Sequence, residues 1–261
     1  MAESALRVTR NGAVLEVVLD RPPANAIDAA TSRAMGECFA EFRDDPGLRV
    51  AIVTGAGEKL FSAGWDLKEA AQGVPPDSDY GIGGFGGLQQ LPNLNKPVIA
   101  AVNGMAVGGG FELALSADLI IAAEHARFAL PEARAGTLAD AATIKLPRRI
   151  PYHVAMDLLF TGRWMDAQEA LRLGLLKEVV PGGQLMERAR QVAEMLAQGP
   201  PLVFAAIKEV ARESETLSEQ EALKQVAARH FPTVDRLYSS EDQLEGARAF
   251  VEKRDPRWKG R

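Results

Sequence analysis

The sequence predicts an α/β fold, with a mostly parallel sheet in its first part and a helical region at its end. Two observations carry this. Short apolar runs rich in β-branched residues alternate with segments of helical periodicity, and that alternation implies crossover connections between strands running the same way. After about residue 145 the strand-like runs give way to amphipathic helical patterns. A chain of 261 residues holds one large core, or a core with an appendage.

Taken in order, AVLEVVLD (13–20) reads as a strand, and the paired prolines of RPPANAID force a non-helical connection. AATSRAMGECFAEFR (29–43) has helical spacing, with Asp28 as its N-cap. RVAIVTGAG (49–57), KPVIAAVNG (96–104) and DLIIAAE (118–124) read as buried strands. MDAQEALRLGLL, closed by Gly174, and QLMERARQVAEMLAQ read as helices, followed by three more over 202–213, 218–230 and 240–252. We divide the chain into an α/β core, 1–199, and a helical region, 200–261, whose apolar faces need something to pack on. Residues 70–95 read as a mobile loop over a binding site. Their GIGGFG formally matches a dinucleotide-binding pattern but lacks the strand–turn–helix setting that the pattern needs.

Composition narrows the function. Net charge is −5 with no block of like charge, which argues against non-specific nucleic-acid binding. No apolar run reaches membrane-spanning length, the start lacks a signal-peptide core, and Cys38 is the single cysteine. A soluble cytoplasmic protein without nucleic-acid or membrane partners is the expectation. His125, His153 and His230 lack metal-ligand spacing, so no metal site is predicted. Ser62 lacks a nucleophile-elbow setting, and Cys38 reads as core.

Two glycine-bounded segments carry the candidate chemistry. In FSAGWDLKE (61–69) and in AVNGMAVGGGFELAL a strand runs into glycine and then a helix. Amides bared there could converge into an oxyanion hole, or the glycines could serve close helix–strand packing; spacing alone leaves both open. Glu112 follows the triple glycine and Glu132 lies in FALPEARAG. Two carboxylates near one cavity suit general acid–base work. Singly, each also reads as a first-turn or solvated acid.

These segments, with LDRPPANAID, TGRWMDAQEALRLGLLKEVV and EGARAFVEKRDPRWKGR, resemble the enoyl-CoA hydratase/isomerase (crotonase) family over essentially the whole length. The resemblance implies a ClpP-like spiral of ββα units, with C-terminal helices building a homotrimer or a dimer of trimers. It implies Trp65 and Gly109 N–H as the oxyanion hole and Glu112 and Glu132 as catalytic groups holding a water. Ala63, Gly64, Asp66, Leu67 and Lys68 would line the arm of coenzyme A, with Lys68 and Lys253 near its phosphates. The implied reaction is reversible dehydration of a 3-hydroxyacyl-CoA thioester, with no cofactor beyond the coenzyme A of the substrate. The alternatives are hydration or isomerisation on another acyl chain, or thioester binding with impaired turnover. A cationic acyl group would favour aromatic contacts such as Trp65, Tyr80 or Phe85. One stretch departs from the family: in PEARAGTLADAATIKLP, Ala139 replaces a usual proline, Ala141 and Ala142 replace a glycine pair, and one residue is missing. The departure leaves Glu132 open to displacement and Asp140 open to an acid–base role.

Overall fold

The computed structural model describes residues 5–261 apart from 72, 74, 76 and 77, so four positions of the predicted loop lie outside the described residues. In chain order the first elements are β1 (Leu6–Asn11), β2 (Val14–Leu19), β3 (Ala26–Ile27), α1 (Ala29–Asp44), β4 (Val50–Gly55), β5 (Leu60–Ser62), β6 (Gly64–Trp65) and α2 (Leu67–Ala71). The middle holds β7 (Val98–Val102), β8 (Met105–Val107), α3 (Gly109–Leu115), β9 (Leu119–Ala123), β10 (Arg127–Ala129), α4 (Glu132–Ala135) and α5 (Asp140–Lys145). Then come α6 (Tyr152–Thr161), β11 (Met165–Asp166), α7 (Ala167–Arg172), β12 (Glu178–Val180) and α8 (Leu185–Ala197). The last helices are α9 (Pro201–Glu213), α10 (Glu219–Ala227), α11 (Pro232–Tyr238) and α12 (Asp242–Glu252).

Six strands form the main sheet in the order β1-β2-β4-β7-β9-β12, parallel from β2 onward. Its inner strands are apolar at successive positions because both faces are covered. Val50 and Ile52 of β4 enter one core cluster, with Ile99 and Ala101 of β7 and the inner face of α8. Ala51, Val53, Val98 and Ala100 point the other way, into a larger cluster with Phe39, Phe42 and Phe111.

A second sheet, β11-β10-β8-β5, contains the strands that follow β4, β7 and β9 of the first, and β3 pairs with β6 alone. The chain therefore repeats strand, short strand, helix: β4-β5-α2, with β6 between, then β7-β8-α3 and β9-β10-α4. Each repeat delivers its helix start beside the previous one, and this places the site.

Helix α1 begins as its sequence suggests, with Asp28 Oδ1 accepting from Thr31 N–H at 2.7 Å. Arg21 ties this cap to the next repeat, reaching Asp28 at 2.7 Å and Asp66 at 2.6 Å. The expected mobile loop is corrected in its second half. Leu88, Leu91 and Leu94 are buried, and the Gly86 N–H donates to Ser32 Oγ of α1 at 3.1 Å. Two glycines here make close contact with α1: a methyl on Gly81 would lie 2.9 Å from Arg33 Cγ, and one on Gly87, just after GIGGFG, 2.4 Å from Gly36 N.

Replacing Asp28 by Ala removes the cap, and about 1 kcal/mol of stability is expected to be lost in urea unfolding. Lost Arg21 pairing adds to that figure, so a Tm within error of wild type would contradict the assignment.

Candidate active site

Backbone meets backbone where β6 adjoins α3. Gly64 has φ +80°, and a methyl there would lie 2.6 Å from Val107 O and 2.7 Å from Gly109 N. In the β3–β6 ladder Ile27 sits opposite Trp65, and Asp66 N–H donates to Ile27 O at 3.0 Å. Alternation along a parallel ladder then turns the Trp65 N–H away from β3, onto the α3 side. The Gly109 N–H opens α3, where a helix supplies no internal acceptor. Trp65 and Gly109 both line a cleft of roughly 590 Å³.

Each glycine of the triple gives way to a different neighbour. Gly108 has φ +53°, and a side chain there would lie 2.6 Å from Glu132 Oε1. On Gly109 it would meet the Phe85 ring at 2.4 Å, and on Gly110 the Ser62 carbonyl at 2.3 Å. Glu132 is thus packed directly against the start of α3, although twenty residues separate it from Glu112.

Both glutamates line the cleft. Glu112 is buried, and its Oε1 accepts from the Ala142 N–H at 2.8 Å, so it caps α5 from another helix. Burial pushes its carboxyl above the ordinary range, and the nearby charge of Asp140 pushes the same way; the Ala142 and Gln89 hydrogen bonds oppose them. Glu132 Oε2 is buried with no partner among the described residues. Burial, with the Glu112 charge adding to it, pushes its carboxyl up to about 7. Lys145 Nζ donates to Ser116 Oγ at 2.8 Å. Burial and the Arg149 charge push that ammonium down to about 8, against the pull of Glu112.

The sequence profile of the enoyl-CoA hydratase/isomerase family matches residues 9–261. The chain belongs to this family. Relatives named carnitinyl-CoA dehydratase are similar to it over nearly all of both chains. The one from Salmonella arizonae is 57% identical over 100% of each chain, and the one from Proteus mirabilis 55% over 98% of this chain and 99% of its own. Among solved structures, the enoyl-CoA hydratase from Mycobacterium tuberculosis H37Rv is 37% identical with TM-score 0.89, over 99% of this chain and 100% of its own. That from Bacillus anthracis is 34% identical with TM-score 0.87, over 98% and 100%. The ββα spiral expected from the sequence is thus the fold of the family.

Not every residue expected in this family site reaches the cleft. The Asp66 carboxylate is committed to Arg21 and to the Lys68 N–H at 2.9 Å. Burial raises it, but these bonds outweigh burial and hold it below the ordinary carboxylate range. The Ala63 N–H is taken by Ala24 O at 3.0 Å. Leu67 and Lys68 are exposed beside Trp65. Lys253 caps α12 in a left-handed conformation, exposed, and does not line the cleft within this chain.

Several cleft residues were not singled out as site residues in the sequence: Gln89, Asp79, Thr137 and Lys145. Only the departure of 137–145 from the family pattern pointed toward any of them. Elsewhere the weak candidates take structural roles. Ser62 Oγ donates to Asn25 O at 2.7 Å, and His125 Nε2 lies 2.9 Å from Glu58 O and 3.0 Å from Asn103 O. The Cys38 thiol is pushed up to about 11 by burial.

Two outcomes follow from the packing of Glu132. Gly108→Ala strains the backbone and displaces the carboxylate, so kcat is expected to fall at least about 100-fold, the scale of acid–base catalysis. Retained acyl-CoA affinity would localise that loss. The second outcome concerns pH. Between the ordinary 4.5 and the folded value of about 7, the unfolded chain releases the proton of Glu132 while the fold retains it. Stability therefore falls as pH rises through this window, and the penalty is complete above it. Glu132→Gln cannot ionise, so calorimetry should show its Tm gaining on wild type at pH 8 relative to pH 4.

Proposed function

We propose that the protein is a hydro-lyase that interconverts L-carnitinyl-CoA and crotonobetainyl-CoA. One observation carries the reaction type: two carboxyl groups of raised proton affinity, Glu112 and Glu132, line the same cleft as the amides of Trp65 and Gly109. In dehydration the thioester carbonyl oxygen accepts from the two amides. Glu132, ionised, removes the α-proton, and the electron pair moves onto that oxygen as an enolate. The enolate collapses, the bond from the β-carbon to its hydroxyl breaks, and protonated Glu112 supplies the proton that lets water leave. Hydration is the reverse. Protons and one water account for every atom, so the chemistry as proposed needs no metal and no redox cofactor.

Raised proton affinity on both groups suits a pair that holds one proton between them near neutral pH. Loss of one oxyanion donor costs about 3 kcal/mol of transition-state stabilisation. The acyl group is proposed from the names of relatives that are 54–57% identical. A second reading, hydration or isomerisation on another acyl chain, draws on the solved structures, which are named enoyl-CoA hydratases. Against impaired turnover stands the Ala142 N–H, which still reaches Glu112 across the altered segment.

We place the coenzyme A arm along Ala63–Lys68, with the Lys68 ammonium toward its phosphates. Assembly into a homotrimer, single or paired, is supported by apolar side chains left open on the last helices. Phe250 is 85% exposed, Val251 79% and Leu223 61%. Among the described residues no helix is long and apolar enough to cross a membrane. Cytoplasmic residence is our reading of the single cysteine.

Purified protein is expected to hydrate crotonobetainyl-CoA faster than crotonyl-CoA, followed by loss of enoyl absorbance. Glu112→Gln and Glu132→Gln should each lose at least about 100-fold in kcat. Turnover of neither thioester, alongside tight binding of both, would remove the enzymatic assignment.

A further inference from the structure

The acyl end of the cleft combines an aromatic wall with an excess of acid. Phe85 lies against Gly109, its Cε1 only 2.4 Å from where a methyl on that glycine would be. Tyr80 continues the wall, edge to face with Phe85, with ring centroids 5.3 Å apart and planes at 83°. Asp140, exposed at the start of α5, lies close enough to Glu112 for its charge to act on it. Among the described residues four acids line the cleft, Asp79, Glu112, Glu132 and Asp140, against one cation, Lys145, whose ammonium is turned to Ser116. Even with one proton shared between the glutamates, the cleft keeps a negative excess.

We propose that Tyr80, Phe85 and Asp140 form a subsite for a quaternary ammonium at the end of the acyl chain. The inference deepens the functional reading above and rests on it. In a four-carbon acyl group bearing a terminal trimethylammonium, the nitrogen stands four bonds from the thioester carbon. At about 1.5 Å per bond, taken zigzag, that is roughly 5 Å. With the carbonyl at Gly109, the ammonium lands along the wall that begins at Phe85 and ends at Tyr80. A cation is attracted to an aromatic face within about 6 Å of its centroid. A quaternary ammonium has no N–H to donate, so aromatic faces and an unpaired carboxylate suit it better than hydrogen-bond acceptors. The wall is set before substrate arrives: Arg33 Nη1 of α1 donates to Asp79 O at 2.8 Å, and Gly81 N–H donates to Asp79 Oδ1 at 2.9 Å. Little ordering is then left to oppose binding.

The test compares two unreactive thioesters, γ-butyrobetainyl-CoA and its uncharged tert-butyl isostere, titrated calorimetrically. Wild type is expected to bind the charged ligand about tenfold tighter, within the range of a desolvated cation–aromatic contact. Tyr80→Leu and Asp140→Asn should each shrink that ratio severalfold, while Tyr80→Phe keeps it. Equal affinities in wild type, or a ratio untouched by both Tyr80→Leu and Asp140→Asn, would overturn the subsite. A sensitive ratio in a protein that fails to hydrate crotonobetainyl-CoA leaves the subsite standing and removes the reaction. Hydration with a ratio of one does the reverse.

Discussion

The site depends on one steric condition: backbone must touch backbone and carboxylate where α3 begins. Gly64 approaches Gly109 N, Gly110 approaches the Ser62 carbonyl, and Gly108 leaves room for Glu132 Oε1. A single added carbon at any of these points falls under 3.0 Å from its neighbour. That condition brings three successive ββα repeats to one place, since Gly64 belongs to the first, Gly108 to the second and Glu132 to the third. Backbone amides fixed this way need no reorganisation when charge develops on a thioester oxygen, and this is where electrostatic preorganisation has its largest effect. The alternative reading of these glycines, that they allow close packing, therefore describes the same fact. Close packing is what holds the two amides at the cleft.

The parts of the fold legible in the sequence were those with enough length to show a period. The inner strands of the main sheet appear as apolar runs because both faces are covered, and α1, α8, α9 and α12 show helical spacing beneath their buried stripes. The second sheet was invisible. Its strands run two or three residues, too short for any alternation, and β1 escaped notice because its side chains are mostly exposed. Helix α6 hid behind Pro151, and α11 fell in the gap between the helices expected over 218–230 and 240–252, because Pro232 marks a helix start that also reads as a break. The stretch 70–95 reads as mobile from its glycines, yet Gly81 and Gly87 are where its second half packs closely on α1.

The glutamates were legible as candidates, but their coupling was not, because it depends on which side chains the folded chain excludes from water. Glu132 gains proton affinity from burial first and from Glu112 second. Neither cause has a sequence signature. Lys253 is the opposite case. It belongs to the expected binding set by resemblance, and the fold of one chain leaves it exposed at the end of α12, away from the cleft.

The altered segment after Glu132 takes a definite form in the structure. Ala139 and Ala142 turn their methyls into the main core, and only Ala141 borders the cleft. Alanine in place of the glycine pair favours helix by roughly 1 kcal/mol per residue. Here it accompanies a helix, α5, whose amide at Ala142 is satisfied by Glu112 Oε1. Glu112 is thereby restrained by its own helix and by the one it caps, and its second oxygen accepts from Gln89 Nε2 at 3.4 Å. The same short helix carries Asp140 at its first position and Lys145 at its last. Opposite charges thus lie on either side of the segment that Glu112 caps, the acid exposed at its start and the ammonium turned to Ser116. Asp140 is exposed and Lys145 half-buried, so the acid is the more open of the two to solvent. The altered segment thereby sets an asymmetry of charge beside the cleft while Glu112 stays hydrogen-bonded to Ala142.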